Sequence, residues 1–503
     1  MSIIKKNIVA NYFGQFYSVV LGIAMVPMYL EYLGVEAYGL VSFFILLQSW
    51  MTLLDLGLSP TLSREVVILK ATNTITKKNI FTNMFHSLEL IFIIMSLIAA
   101  VIMWISSDWI SQEWLNISSL NLQDVEYCIS LIGIIIGLRF LTTLYMSGII
   151  GYEAQLWLNA ANIFINTLRY VGVLGVFYFI DSDIILFFEY QLIISIIGLS
   201  IFSYKFYHLI GIKRFKIYFS YKDVKPIIPF AVSIGYTSSL SVFATQLDKL
   251  LLSNILPLSE FGFFALVVLI ANAIMMFSNP IGQAILPRMT NLIEENKITE
   301  MIRIYKQFTQ FTAIVIFSIV GIVTLYSYEL VYAWTGNREA SLWVKDILRW
   351  YALGNGILAI TAFTYYLQFA YGKMKLHVIY NTIQSLISIP IIIAVAYSYG
   401  SIGVAIVWFT FRLLSLIVWV PYIHRKFAPG INMAWMFEDI LPVFISTFIY
   451  IGLLSYIDFT FNYSRGMIFG ILILMGLCLL VLNTFVSTEG RKIILNFING
   501  NKK

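Results

Sequence analysis

Three arginines near the middle of long apolar stretches, Arg139, Arg169 and Arg412, carry the strongest chemical signal in the chain. Each guanidinium costs about 2.5–3.5 kcal/mol at the centre of a bilayer helix, against a whole-fold stability of about 5–15 kcal/mol. They must face something polar. A guanidinium keeps its charge when desolvated, and its rigid fork donates two parallel hydrogen bonds, which suits an anionic head group such as phosphate. The competing reading is internal: pairing with Glu89, Glu189 or helix carbonyls for packing alone. Lys249 and Asp248 are neighbours in another apolar stretch, where a step of about 100° is expected to keep them from pairing on one face. One of them then looks into a polar path, unless Lys249 reaches the interface on its long stem. Glu189 and Asp248 are candidate ion-coupling carboxylates, because a carboxyl group moved between dry and wet surroundings exchanges a proton. Pairing with Arg169 is the alternative for Glu189.

The stretches that position these groups dominate the sequence. Of 503 residues, 60% are hydrophobic and 12% charged, with a mean hydropathy of +0.85, against roughly 25% charged in soluble domains. An all-α polytopic membrane protein follows, because about 20 apolar residues are needed to cross a bilayer with every backbone group satisfied inside a helix. About fourteen spans are expected, at 8–31, 38–56, 83–106, 127–150, 157–180, 183–204, 227–254, 260–285, 308–334, 348–370, 376–398, 401–423, 436–456 and 465–486. Basic residues crowd one set of loops, from Lys5 and Lys6 through Arg64, Lys77, Lys213, Arg214, Arg288 and Lys373 to Lys502 and Lys503; the other set offers Arg338, Lys345, Arg349 and Arg465. The positive-inside rule then puts both termini in the cytoplasm. The net charge of +6 is read as topology and not as affinity for nucleic acid. Met1–Lys6 precede an apolar span without a small-residue cleavage site, so a retained first helix is expected. Cys128, Cys478 and four scattered histidines make neither a disulfide framework nor a metal site, and no cofactor is expected.

The turn Leu33–Gly39 (LGVEAYG) has the spacing of Leu256–Gly262 (LPLSEFG), and Arg64 follows the first at nearly the distance by which Arg288 follows the second, each opening a basic loop. Gly151–Asn159 similarly echoes Gly372–Asn381. Two six-helix lobes related by a parallel pseudo-two-fold are expected: 1–225 with its basic linker, then 226–426, with two further helices and a tail in 427–503. Parallel repeats place a substrate path between halves near the midplane, so Arg139, Arg169, Arg412 and Lys249 are assigned to a cationic cavity there. Pro27, Pro280 and Pro390 interrupt apolar stretches and permit bending, whereas Pro226 and Pro229 open a span.

YLGVEAYGLVSF followed by LLDLGLSPTLSRE, with Asn11 and Pro27 ahead of it, resembles the opening of the polysaccharide flippases that transport O-antigen and capsule repeat units. ILPLSEFGFFAL with AILPRMTNL resembles the start of their second half, and YAWTG at 332–336 the end of their ninth helix. The resemblance covers most of the chain and implies the superfamily that also holds drug exporters and lipid II flippases. It implies translocation of undecaprenyl-pyrophosphate-linked oligosaccharide across the bacterial cytoplasmic membrane, without enzymatic activity, in company with a polysaccharide polymerase and a chain-length regulator. It also implies that Arg64, after the DLGL stretch, captures pyrophosphate at a cytoplasmic gate; Arg288 is its counterpart by the repeat. An ordinary positive-inside role stands beside that one. A cation-coupled drug exporter of the same fold and a lipid II flippase are the rival functions. ATP-powered export lacks its GxxxxGK[ST] loop, and a membrane glycosyltransferase or polymerase lacks sizeable outer loops.

Overall fold

The computed structural model describes residues 3–72, 75–211, 216–456 and 463–492. Lys213, Arg214, Lys502 and Lys503 of the basic set, and the tail from 493 onward, lie outside them. Among the described residues the chain is helical and forms no strand, only an isolated bridge between Asn116 and Pro257. The helices are α1 (Ile3–Leu33), α2 (Val35–Met51), α3 (Leu58–Thr72), α4 (Ile75–Ile105), α5 (Leu122–Gly151), α6 (Gln155–Phe179), α7 (Ile184–Ile210), α8 (Ile228–Ile255) and α9 (Leu258–Glu294). They continue with α10 (Ile298–Leu325), α11 (Ser327–Thr335), α12 (Arg338–Thr361), α13 (Phe363–Ala370), α14 (375–399), α15 (401–427), α16 (Ile431–Leu454) and α17 (Arg465–Val486).

Every expected span is helical, and among the described residues twelve stretches cross by length and composition. The difference from fourteen has two physical sources. The stretch Lys375–Phe427 registers as one, although Gly400 sits at φ 58°, ψ −148° and a Cβ on Gly403 would lie 2.6 Å from Val395. Residues eight apart in a straight helix are separated by about 12 Å, so the chain doubles back at Gly400. The 348–370 stretch is met by α12 and α13, but the first turns of α12 carry Arg338, Glu339, Lys345, Asp346 and Arg349, too many charges for a crossing by composition. Several helices outrun their apolar stretches: α4 begins at Ile75 and α10 at Ile298. Hydropathy marks where a helix enters hydrocarbon and says nothing of where its hydrogen bonds end. For the same reason Arg64 and Arg288, expected to open loops, are both helical, in α3 and in the last turns of α9. Both α1 and α9 run on through Pro27 and Pro280, and Pro226 and Pro229 stand where α8 begins.

The chain divides into two compact units, Met1–Gly262 and Phe263–Lys503. The first is built around Phe85, Leu88, Phe92, Phe140, Leu144 and Phe206, where α4, α5 and α7 meet. Gly148 lets the Phe206 ring lie against α5. The helix α8 belongs to this unit, and the DLGL turn explains how. Leu56 and Gly57 take left-handed conformations at φ 46° and 77°, breaking the helix after Asp55, whose Oδ1 then accepts from the backbone N–H of Ser59 at 3.0 Å and caps α3. A Cβ on Gly57 would strike the carbonyl oxygen of Ala231, and one on Gly235 would lie 2.7 Å from the carbonyl carbon of Leu56. Backbone touches backbone there.

The second unit centres on Tyr305, Phe363, Leu367, Ile423 and Trp435. Here α16 and α17 dock on α10 through buried Asn483, whose Nδ2 donates to Ser318 and Thr447, each at 3.0 Å. Gly321 admits Ile451, Thr447 and Leu479 at that crossing. Interhelical hydrogen bonds and small residues are what hold helices together where lipid supplies no hydrophobic contrast.

Replacing Gly57 by Val adds both a Cβ at φ 77° and a collision with the Ala231 carbonyl, so the folded protein is expected to lose several degrees of thermal stability in detergent. Gly452→Ala, where nothing lies within 4 Å, serves as the control; equal melting of the two variants would refute the close-crossing argument.

Candidate functional site

Arg139 on α5 is held entirely by its own unit. Its Nη1 donates to Gln48 Oε1 at 2.7 Å, Nη2 to Gln191 Oε1 at 2.8 Å and Nε to Ser195 Oγ at 3.2 Å, while the guanidinium lies over the Phe44 ring at 4.7 Å. Amide oxygens and an aromatic face, not a carboxylate, take up the charge. The alternative partners are engaged elsewhere: Glu89 accepts from Tyr145 and Tyr207 and lies 3.2 Å from His86 Nδ1, and Glu189 accepts from Tyr127 at 3.2 Å. Arg169 is not the partner of Glu189.

Arg169 sits in a π-helical turn, Leu168–Gly172, inside α6. Such a turn releases carbonyls from the regular ladder, and three neighbours supply the missing donors: Tyr190 to the carbonyl of Leu168 (2.8 Å), Gln191 to that of Arg169 (3.0 Å) and Tyr29 to that of Tyr170 (3.0 Å). The Arg169 side chain makes one hydrogen bond, Nη1 to Asn166 at 3.3 Å, and its buried Nε has no acceptor. The polar seam continues along α1 and α6, with Tyr17 bonded to Thr167 (2.6 Å), Asn166 to Ser18 (2.9 Å) and Asn159 to Asn11 (2.6 Å).

In the second unit Arg412 on α15 stacks over Trp408 at 4.2 Å, and its buried Nε likewise has no acceptor. Trp408 is fixed by donating to Asn355 (3.0 Å), which donates in turn to the Ala271 carbonyl (2.7 Å), and Tyr351 stacks on its ring. Tyr380 and Trp419 stack at 4.3 Å, 17° from parallel. Trp408 stands four residues before Arg412 on one helix, a spacing the sequence shows, whereas Asn355, Tyr351 and Tyr380 come from other helices.

Asp248 and Lys249 do pair, at 3.3 Å, contrary to expectation. The side chains leave the helix in different directions, but the four-carbon lysine stem curls back, and Nζ also bonds the Thr245 carbonyl. Arg64 bonds Glu65 at 2.8 Å and lies over the Phe230 ring at 4.9 Å, close to the start of α8. Arg288 is exposed.

Glu36, within the LGVEAYG turn, is buried and accepts from the backbone N–H of Ser118, Ser119 (2.7 Å) and Leu120 (3.2 Å) and from the Ser119 hydroxyl. That anchors the 107–121 segment to α2. The same segment grips the turn between α8 and α9: Trp114 donates to Ser253 (3.1 Å), Asn116 to the Asn254 carbonyl (2.6 Å), Asn254 to the Trp114 carbonyl (3.0 Å), and the Leu258 N–H to the Asn116 carbonyl (2.9 Å). Gly39 packs on Leu258, and a Cβ on Gly262 would lie 3.1 Å from the Gly39 nitrogen. The two matching turn motifs therefore touch through their glycines. The serine pair and Asn121 ahead of a helix were the signal available for this nest.

Comparison with known proteins places this arrangement. The model of the family described as polysaccharide biosynthesis protein matches residues 4–293. A protein of Shigella flexneri named "Putative O-antigen transporter" is 23% identical over 409 residues, 81% of this chain and 94% of the relative. Among solved structures, the lipid II flippase MurJ in an inward closed conformation is similar with a TM-score of 0.72 at 17% identity, over 97% of this chain and 100% of that one. An inward-facing multidrug resistance transporter of the MATE family gives 0.65 at 13%, over 83% and 95%. These likenesses show a shared fold.

Arg139 and Arg412 differ in a measurable way. Arg139→Gln strands the buried Gln191 oxygen at about 1–3 kcal/mol and that of half-buried Gln48 at less, so its melting temperature in detergent is expected to fall, whereas Arg412→Gln, which breaks no hydrogen bond, leaves it within a degree or two. Equal stability of the two variants would contradict the assignment.

Proposed function

The chain belongs to the polysaccharide biosynthesis protein family, a family of membrane transporters, and on that premise we propose that it moves undecaprenyl-pyrophosphate-linked oligosaccharide from the inner to the outer leaflet of the bacterial cytoplasmic membrane. The observation that carries this reading is a pair of guanidinium groups, Arg169 in the first unit and Arg412 in the second, each with a buried Nε that no described group accepts. A buried donor without an acceptor costs about 1–3 kcal/mol, and a phosphate oxygen removes that cost. Arg412 beside Trp408 joins a charge to an aromatic face, a combination suited to a sugar phosphate. Arg139 supports the path by orienting Gln48 and Gln191 and does not itself hold the anion.

In this proposal the basic loops and both termini are cytoplasmic, Arg64 and Arg288 gather the pyrophosphate at that side, and the head group crosses a cationic cavity by alternating access while the polyprenyl tail stays in lipid. Outward passage of the phosphates is assisted by a membrane potential negative inside, worth about 2.3 kcal/mol per charge per 100 mV. A polymerase and a chain-length regulator receive the product. Of the carboxylates weighed as ion-coupling sites, Asp248 pairs with Lys249 and Glu189 accepts from Tyr127. Release at the outer side requires the bonds around Glu36, Asn116 and Asn254 to part.

In cells that depend on this protein for surface polysaccharide, Arg169→Gln and Arg412→Gln are expected to cut output by at least about tenfold, the loss of about 1.4 kcal/mol or more, with normal amounts in the membrane. Full output from both would remove the anion-binding reading, and complementation of a lipid II flippase defect instead would reassign the substrate. A second expectation concerns the outer cluster. Asn116 and Pro257 are bridge partners, within disulfide reach; with cysteines at both positions, oxidation is expected to stop export and a reductant to restore it. Continued export by verified cross-linked protein would show that this cluster stays shut throughout the cycle.

A further inference from the structure

Glu89 of α4 is fully buried in the core of the first unit. Its Oε1 accepts from Tyr145 on α5 at 2.7 Å and from Tyr207 on α7 at 2.6 Å; Oε2 lies 2.7 Å from the same Tyr207 oxygen and 3.2 Å from Nδ1 of His86, itself buried. The ion-pair partner of Glu89 is this histidine, with no lysine or arginine among the described residues joining it. Desolvating a carboxylate without a fixed cation costs several kcal/mol, and imidazole is the side chain that changes charge near physiological pH.

The surrounding charges are spent elsewhere. On α3, Arg64 pairs with Glu65 and Lys70 with Glu153. On α7, Lys205 lies over Trp157 and His208 is exposed. On α5, Arg139 is bound by Gln48, Gln191 and Ser195. In the 221–227 segment Lys222 is exposed and Asp223 accepts from Tyr218 at 3.0 Å.

That segment gives the pair its reach. Ser87, next to His86, accepts from the Ser220 N–H at 3.1 Å, and Val224, Ile227 and Ala231 pack in the same core as Phe85 and Leu88. The chain leading into α8 is thus seated one residue from the histidine.

We propose that Glu89 and His86 form a proton-binding site, loaded through Tyr207, whose occupancy controls how the 216–227 segment seats at the start of α8. Tyr207 is half-buried in the last turn of α7. On loading, Tyr207 passes its proton to Glu89 and regains one from water. The new carboxyl O–H donates to Nδ1 of His86, whose own ring proton stays on Nε2 in both states, so no second proton moves. Release reverses each step, so one proton is bound and one returned. The site stands independently of which head group is carried.

The test is a titration of the purified full-length protein in nanodiscs from about pH 5 to about pH 9, the span over which imidazole chemistry operates. Infrared difference spectra are expected to show a buried-carboxyl band that titrates in the wild type, disappears in Glu89→Gln and has a displaced midpoint in His86→Gln. Labelling of a cysteine in place of exposed Lys222, taken as the ratio to the same cysteine variant carrying Glu89→Gln so that the thiol's own ionisation cancels, should change along the same curve, a readout that a purely structural Glu89 would not move. A band that does not titrate, or that persists in Glu89→Gln, overturns the proposal, as does a labelling ratio that does not change with pH. If Glu89→Gln fails to fold, Tyr207→Phe keeps the carboxylate, and an unchanged midpoint there overturns it equally.

Discussion

Satisfying polar groups where water is absent is the constraint on which the rest of this molecule depends. A bilayer core forces backbone groups into helices, and the same requirement then sorts the side chains. Arg139 draws two glutamines and a serine around itself; Glu36 collects backbone N–H groups; Asn483 ties α10, α16 and α17 together. Each of these clusters fixes several helices at once, because each polar group carries more donors or acceptors than one neighbour can match.

Departures from regular helix follow from that accounting. The π turn at Leu168–Gly172 survives because Tyr29, Tyr190 and Gln191 reach the carbonyls it frees. The left-handed pair Leu56 and Gly57 lets α8 cross at backbone contact, and Gly400 lets the chain reverse without a loop. The unmatched Nε atoms of Arg169 and Arg412 belong to the two guanidinium groups among the buried polar atoms left without a hydrogen-bond partner in the described residues, a set that also includes Asp439 Oδ2.

The spans were legible in the sequence because apolar length is a local property: each of the fourteen stretches is helical, and even the reversal at Gly400 fell between two expected spans. The helix ends were not, since Ile75 and Ile298 continue hydrogen bonding beyond the hydrocarbon. Arginines buried at a cost were also visible, but their division into a satisfied one and two incomplete ones was not, because Gln48 and Gln191 look like ordinary helix residues until their helices are packed against α5. The Asp248–Lys249 pair was misjudged by treating side chains as vectors from the helix axis when the lysine stem bends.

Composition and the alternation of basic loops by themselves determined that this is a multi-helix membrane protein, and the order of short motifs pointed to its family, since these depend only on what each segment must do alone in lipid or water. Tertiary structure decided which polar groups are spent on the protein and which remain open. Glu89 with His86 and Arg412 over Trp408 are neighbours on one helix whose spacing the sequence does give; what it does not give, because no periodicity along one chain segment encodes it, is the partner that arrives from another segment, Tyr145 and Tyr207 on Glu89 or Ser118 and Ser119 on Glu36.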